Sequence, residues 1–394
     1  MENKLVPKIR FSGFTDAWEQ RKLGEICSEF KSGNAITSKE ITENGIYPVY
    51  GGNGLRGYTD IHTHDGKYVL IGRQGALCGN INYVTGKTYI SEHAIVIGEN
   101  ELSSIRWLEQ LLTKMNLNVY SESSAQPGLS VEKLKKLIIY IPSKGEQTVI
   151  GNFFCTLDDT ITLHQRKLDM LKKMKRAYLQ QMFPQNDEDV PRLRFADFEG
   201  EWEQRKLGEL VDTVKSYSLS RDVETSEHTG FRYVHYGDIH KKIADLIKDD
   251  NKLPLIKAGE YELLQSGDVI VADASEDYIG IAEPSIILEN SRDKIVAGLH
   301  TIAMRPKKID SQFLYYLLHT NRFKKFGNKV GTGMKVFGIT TNNLYKFIVL
   351  FPDIKEQAKI GAFFKHLDDN ITSNQTKLDR LKLIKNAYLQ NIFI

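Results

Sequence analysis

Cysteine is scarce in this chain: Cys27, Cys78 and Cys155 stand far apart among 394 residues, odd in number and without CxxC spacing. That pattern argues against a disulfide framework or a cysteine-built zinc site, and it reads as three reduced thiols. Long apolar runs are missing as well. No stretch approaches the roughly 18 uninterrupted apolar residues of a membrane span. The opening residues Met1-Glu2-Asn3-Lys4-Leu5 hold no apolar signal core. A soluble protein of the cytoplasm is expected. Excess charge of one sign is nearly absent too, since 53 basic against 50 acidic residues leave only +3. A nucleic-acid binder with so small an excess has to gather positive charge locally, or share its ligand with a partner.

What is present is an ordinary globular composition, 41% hydrophobic and 26% charged. It suffices for more than one core, and the length suggests two or three domains. The chain is also written twice. Residues 7–26 (PKIRFSGFTDAWEQRKLGEI) match 191–210 (PRLRFADFEGEWEQRKLGEL) at 12 of 20 positions. Residues 141–183 match 351–393 at 24 of 43 positions without a gap. Repeats at this level decide architecture before any local reading does. The first pair is offset by 184 residues and the second by 210, so the intervening segments differ in length, 114 residues for 27–140 and 140 for 211–350. The boundaries follow: a signature at 1–26, a variable domain at 27–140, a helix at 141–183, then a linker and second signature at 184–210, a variable domain at 211–350 and a helix at 351–394.

In the repeated helices, Phe154, Leu157, Ile161, Leu168, Leu171, Tyr178 and Met182 fall at the alternating three-four spacing of a coiled-coil seam. Phe364, Leu367, Ile371, Leu378, Leu381, Tyr388 and Ile392 repeat the register. His164 and Asn374, then Lys175 and Lys385, interrupt the seams at matching places, and such residues usually fix register and partner. An antiparallel pair within the chain is the simplest arrangement, with a hairpin in a core or a dimer seam as alternatives. About 38 helical residues make a rod of roughly 57 Å, longer than one DNA turn of about 34 Å. Arg166, Lys167, Lys172, Lys173, Lys175 and Arg176 make the first helix basic, as a phosphate-facing or a solvated face. Asp158-Asp159 and Asp368-Asp369 read as helix-start residues that favour the dipole and cap free amides.

The order of segments, the WEQRKLGE signatures and the LDD-I-T…KLD-LK…AYLQ helices resemble the specificity subunit of type I restriction-modification systems, over essentially the whole chain. The resemblance implies two mixed α/β target-recognition domains, each reading half of a bipartite DNA site, separated by a long antiparallel coiled coil with pseudo-two-fold symmetry. It implies a prokaryotic complex with two methyltransferase subunits and further restriction-translocase subunits. S-adenosylmethionine, ATP and magnesium would then bind those partners, and this chain would be non-catalytic.

Within 46–97 the pieces IYPVYGGNGLRGYTD and GKYVLIGRQGALCGNINYV have the look of that family. The first reads as a glycine-rich loop offering Asn53 and Arg56; the second as a buried strand with Arg73 and Gln74 at its exit. Arginine pairs bidentately with guanine, and glutamine or asparagine with adenine. A structural ion pair is the competing role for each arginine. In the second domain, Tyr236, His240, Lys241 and Lys242 combine an aromatic with donors suited to phosphate or base contact. Gln126 and Lys335 sit in matched turns ahead of a short helix and a strand. His93 and His300 are expected to be satisfied core histidines.

An enzyme with its own site lacks support. Gly86-Lys87-Thr88 resembles the end of a phosphate-binding loop, but Ile81 stands where that loop requires glycine. No Asn/Asp-Pro-Pro-aromatic methyltransferase motif occurs, and Pro352-Asp353 lacks the Glu-x-Lys of a nuclease. A specificity subunit of another bipartite-site enzyme and a stand-alone DNA-binding regulator remain as alternatives.

Overall fold

A computed structural model describes residues 6–121, 128–185, 188–248, 252–276, 280–333 and 337–394. The chain divides into two compact units, Met1–Arg166 with Gln375–Ile394, and Lys167–Asn374.

In the first unit the described strands are β1 (Glu19–Lys22), β2 (Cys27–Ser32), β3 (Tyr47–Gly51), β4 (Gly54–Thr59), β5 (His64–Gly72), β6 (Ile81–Ile90), β7 (Ala94–Glu99) and β8 (Ile138–Ile141). The helices are α1 (Ile105–Met115), α2 (Val131–Lys135) and the long α3 (Lys144–Gln181), which runs on into the second unit. Six strands form one sheet in the order β2-β7-β5-β6-β3-β4, and β1 pairs with β8. Val69, Leu70 and Ile71 are fully buried, as suits the strand between β7 and β6. Gly86-Lys87-Thr88 lies inside β6.

The second unit holds β9 (Glu203–Lys206), β10 (Val211–Val214), β11 (Phe231–Val234), α4 (Tyr236–His240), β12 (Leu246–Ile247), β13 (Val269–Ala272), β14 (Ala274–Ser275), β15 (Pro284–Ile287), β16 (Lys294–Ala297) and β17 (Thr301–Pro306). There follow α5 (Ser311–Leu317), α6 (Asn321–Val330), β18 (Phe337–Gly338), α7 (Thr341–Leu344), β19 (Ile348–Phe351) and the long α8 (Ile354–Ile392), which ends in the first unit. Its sheet runs β10-β17-β13-β15-β12, with β11-β16, β14-β18 and β19-β9 as smaller pairs.

The signature folds the same way in both units. Glu-Gln-Arg-Lys makes an exposed strand, β1 or β9, with poor strand propensity of its own. Buried Trp18 and Leu23 pin it on either side in one copy, Trp202 and Leu207 in the other. It pairs antiparallel with the strand that leads into the long helix, β8 or β19. Arg10 then forks onto Glu146 at 2.8 and 2.7 Å, and Arg194 onto Glu356 at 2.7 Å for both bonds. Both carboxylates are almost wholly buried in the first turn of α3 and α8. Two parallel charge-assisted bonds fix a direction as well as a distance. The side-chain amide of Gln147 donates to the Leu102 and Pro142 carbonyls, and that of Gln357 to the Pro352 carbonyl.

Each unit contains an antiparallel pairing of part of α3 with part of α8. In the first, Phe153 meets Tyr388 and Phe154 meets Phe393, with ring centroids 5.0 and 6.0 Å apart. In the second, Tyr178 meets Phe363 and Phe183 meets Phe364, at 5.1 and 5.8 Å. Leu168, Leu367, Asn374 and Leu378 are buried, while Leu157, Ile161, His164, Leu171, Tyr178, Ile371, Leu381 and Tyr388 are partly covered.

The acidic pairs are not helix starts. Asp158 and Asp368 lie about four turns in, and the ends are capped by Ser143 and Asp353, which accept from the amides of Glu146 and Glu356 at 3.4 and 3.3 Å. Lys385 instead reaches Asp158 at 2.6 Å, and Lys175 reaches Asp368 at the same distance. The glycine-rich stretch 46–60 is not a loop either. β3 and β4 form a tight hairpin with Gly51 opposite Gly54, because Gly52-Asn53 closes a two-residue turn between extended segments.

Candidate nucleic-acid interface

In the first unit three backbone segments meet at one end of the sheet, beyond the last residue of the interior strand β5. A Cβ on Gly52, in the β3–β4 turn, would stand 2.8 Å from the His93 carbonyl and 3.2 Å from the Gly72 Cα. That approach needs glycine, and it sets the hairpin tip against the exit of β5. There the Arg73 amide donates to the His93 carbonyl at 2.9 Å, and the Arg73 carbonyl accepts from the Leu129 amide at 2.9 Å. Gln74 bridges to Gly128. Asn53, Arg56 and Gln74 are exposed and Arg73 is half-buried. Arg56 lies across Gly51, whose Cβ would meet its Cδ at 2.7 Å. Among the described residues neither arginine has a carboxylate within ion-pair distance. Two cations and two amides thus sit around one turn with hydrogen-bonding groups to spare, the donor set that reads base edges or phosphates. Gln126 lies outside the described residues.

In the second unit Tyr236, His240, Lys241 and Lys242 line one cavity of about 650 Å³, together with Arg221 and His235 among others. Tyr236 to His240 form α4, and Lys241 and Lys242 follow in the turn after it: His235 accepts from the Gly237 amide at 3.1 Å and Asp238 accepts from the His235 amide at 3.2 Å, capping α4. His240 Nε2 donates to the Ala274 carbonyl at 2.8 Å. Tyr236 packs edge-on to His300, centroids 5.3 Å apart. Burial alone would lower the Lys242 ammonium, but Asp245 and Glu283 more than reverse it, so its pKa is raised. Lys242 is therefore already paired, whereas Lys241 is exposed and has no carboxylate partner among the described residues. Burial depresses the His235 imidazole, with Arg221 adding to it, which favours the neutral ring that caps α4. Lys335 lies outside the described residues.

The expectation for the two histidines fails. The side chains of His93 and His300 are 44% and 48% exposed, because each is the last residue of the turn that leads into a strand, β7 or β17, and does not sit inside it. Sequence reasoning also passed over Asp273, at the exit of β13, whose Oδ1 accepts from His300 Nδ1 at 3.0 Å. Aligning the exits of β5 and β13 is the signal that would have found it. On α3, Lys172, Lys175 and Arg176 border a further cavity of about 650 Å³ within the second unit, with Lys324 and Asp368. Burial pushes the Cys27 thiol up to about 12, which makes it a poor nucleophile. Among the described residues, no helix is long and apolar enough to cross a membrane.

Comparison with known proteins agrees with this layout. The specificity subunit of the type I restriction enzyme EcoprrI from Escherichia coli is 44% identical over 151 residues. The chain spans 37% of that relative's length in this match, and 36% of the chain takes part. A putative type I restriction enzyme specificity subunit of Haemophilus influenzae, S.HindORF215P, is 22% identical over 371 residues, 90% of this chain and 89% of that one. The crystal structure of a type I restriction-modification system S subunit from M. genitalium superposes with a TM-score of 0.69 at 15% identity, covering 99% of each chain, and so shares the fold. Residues 15–173 and 199–383 both match the type I restriction modification DNA specificity domain. With both copies of its repeat matched, the chain belongs to the type I restriction-modification DNA specificity family.

Proposed function

We propose that this chain is the DNA-sequence specificity subunit of a type I restriction-modification complex, with each globular domain reading one half of a split, asymmetric site. The observation that carries this reading is the contrast between frame and face. The frame is repeated bond for bond, in Arg10–Glu146 and Arg194–Glu356, and in Lys385–Asp158 and Lys175–Asp368. The polar faces differ: Asn53, Arg56, Arg73 and Gln74, exposed or half-buried, in one domain, and Tyr236, His240, Lys241 and Lys242, of which only the two lysines are exposed, in the other. A frame built twice with unlike faces suits one task performed on two targets.

In this reading the paired helices set the unread gap and dock two methyltransferase subunits, to which restriction-translocase subunits add. Linking two weak readers on one frame raises the effective concentration of each for its half-site. S-adenosylmethionine on the methyltransferase supplies the methyl group, and ATP with magnesium serves the restriction subunits. This chain supplies recognition and no catalytic group. The test is methylome sequencing of cells carrying this gene with its methyltransferase, against cells lacking only this gene. A single split, asymmetric, gene-dependent motif is expected. Absence of any such motif, with both proteins expressed, overturns the reading.

A further inference from the structure

Arg73 and Asp273 occupy the same place in the two domains. Each follows the last residue of a central strand, Gly72 of β5 or Ala272 of β13. The Arg73 amide donates to the His93 carbonyl and the Asp273 amide to the His300 carbonyl, at 2.9 and 3.0 Å. The Arg73 carbonyl accepts from Leu129 and the Asp273 carbonyl from Ile339, at 2.9 and 2.8 Å. The next residue pairs with a glycine in both cases, Gln74 with Gly128 and Ala274 with Gly338. Three matched backbone contacts hold the two residues alike, and none of them uses the side chain. At this one position the side chain is a cation in the first domain and an anion in the second.

We propose that this is a base-reading position in both domains, and that its charge selects the class of base edge. Arg73 takes the paired acceptors of a guanine, and Asp273 takes an exocyclic amino donor, on cytosine or adenine. The inference rests on the reading of both domains as DNA readers and extends it to a residue that had no role there. The surroundings of Asp273 fit a presented acceptor. Its side chain is 30% exposed, one oxygen is steadied by His300, and its other oxygen has no hydrogen bond among the described residues. His300 itself adopts φ 56°, a left-handed conformation that is uncommon for a non-glycine residue and concentrates at functional sites. The His300 ring packs against Tyr236, which lines the cavity of the second domain.

The experiment uses the full chain with its methyltransferase subunits and compares the methylomes of wild type, Asp273→Ala, Asp273→Asn and Asp273→Arg. Both removal variants are expected to accept other bases at one position of one half-site, with discrimination there falling on the order of tenfold or more. Asp273→Arg is expected to prefer guanine at that same position. The half-site read by the first domain stays unchanged in all three. A motif unaltered at every position overturns the inference, as does a uniform loss of methylation across all sites. Should Asp273→Ala fail to fold, the near-isosteric Asp273→Asn decides, since its amide oxygen still accepts from His300. A wild type that writes no gene-dependent motif instead overturns the specificity reading itself, so the two failures are distinguishable.

Discussion

Lys175 donates to both carboxylate oxygens of Asp368, at 2.6 and 2.8 Å, and the Tyr316 hydroxyl donates to the same carboxylate at 2.8 Å. The other copy repeats the arrangement: Lys385 reaches Asp158 at 2.6 Å, and the Gln110 side-chain amide donates to it at 3.3 Å. Of the polar interruptions in the apolar seam, the two lysines thus find their partners across the helix pair, whereas Asn374 donates to the Asn370 carbonyl of its own helix. A buried pair contributes little net stability compared with apolar packing, because desolvating both charges offsets their attraction. Its best-attested use is to fix register: a slip of the helices would leave a charge buried and alone.

A double-mutant cycle on Lys175→Met and Asp368→Leu tests this. Lys175→Met alone strands the carboxylate and should cost about 1.5–3 kcal/mol, the range for hydrogen bonds to charged groups. The double variant should recover much of that loss. Urea unfolding of each variant reads the coupling. The same cycle at Lys385 and Asp158 should give a smaller value, because Asp158 is 35% exposed against 12% for Asp368. Equal coupling at both pairs would mean that burial does not set their strength.

Gly361→Ala should destabilise the second unit. A Cβ there would stand 2.8 Å from the Gln312 Cβ and 3.1 Å from the Phe313 amide nitrogen, where α5 crosses α8. Gly151 in α3 meets Arg106 and Trp107 in the same way, at 2.9 Å each. Overpacking of this kind typically costs about 1–3 kcal/mol, against the slight gain that alanine brings to an open helix position. A higher melting temperature for Gly361→Ala would mean that the helices part without cost.

Arg56→Ala or Arg73→Ala should relax preference at one base of the first half-site by about 1–3 kcal/mol of discrimination. Lys241→Ala should instead weaken binding evenly on all sequences and lower the salt slope by about 1. Binding of the complex to a panel of single-base variants at several salt concentrations separates the two. Uniform weakening by the arginine variants would make them phosphate contacts.

His319 makes stability depend on pH. Burial drives its imidazole pKa well below the ordinary value of 6.5, with Lys242, Lys175 and Lys324 adding repulsion, and its Nε2 has no hydrogen-bond partner among the described residues. The folded protein thus holds a neutral ring that the unfolded chain would protonate. Below pH 6.5 the unfolded state binds the extra proton, so stability is lost as pH falls, by about 1.4 kcal/mol per unit until the folded-state pKa is reached. Unfolding midpoints between pH 8 and 5 should therefore fall more steeply for wild type than for His319→Leu. Parallel curves would assign the dependence elsewhere.

The repeated frame was legible because identity at fixed offsets needs no physics to detect, and because helix periodicity is local: a seam residue announces itself by neighbours three or four positions away. The strand nature of Glu-Gln-Arg-Lys was not legible. Nothing in those four polar residues favours extension, and β1 exists because β8, 119 residues later, supplies the partner ladder. Asp158 and Asp368 looked like caps for the same reason, since their lysines are remote in sequence. Arg56 and Arg73 were readable as exposed donors beside glycine turns. What sequence alone determined is the double frame, the helices and the presence of two unlike faces. Only the tertiary structure decided that Lys242 is already paired while Lys241 has no carboxylate partner among the described residues, that His93 and His300 lie in turns at strand ends, and that Arg73 and Asp273 share one position. Those facts depend on which distant backbone groups meet, and chain order does not encode that locally.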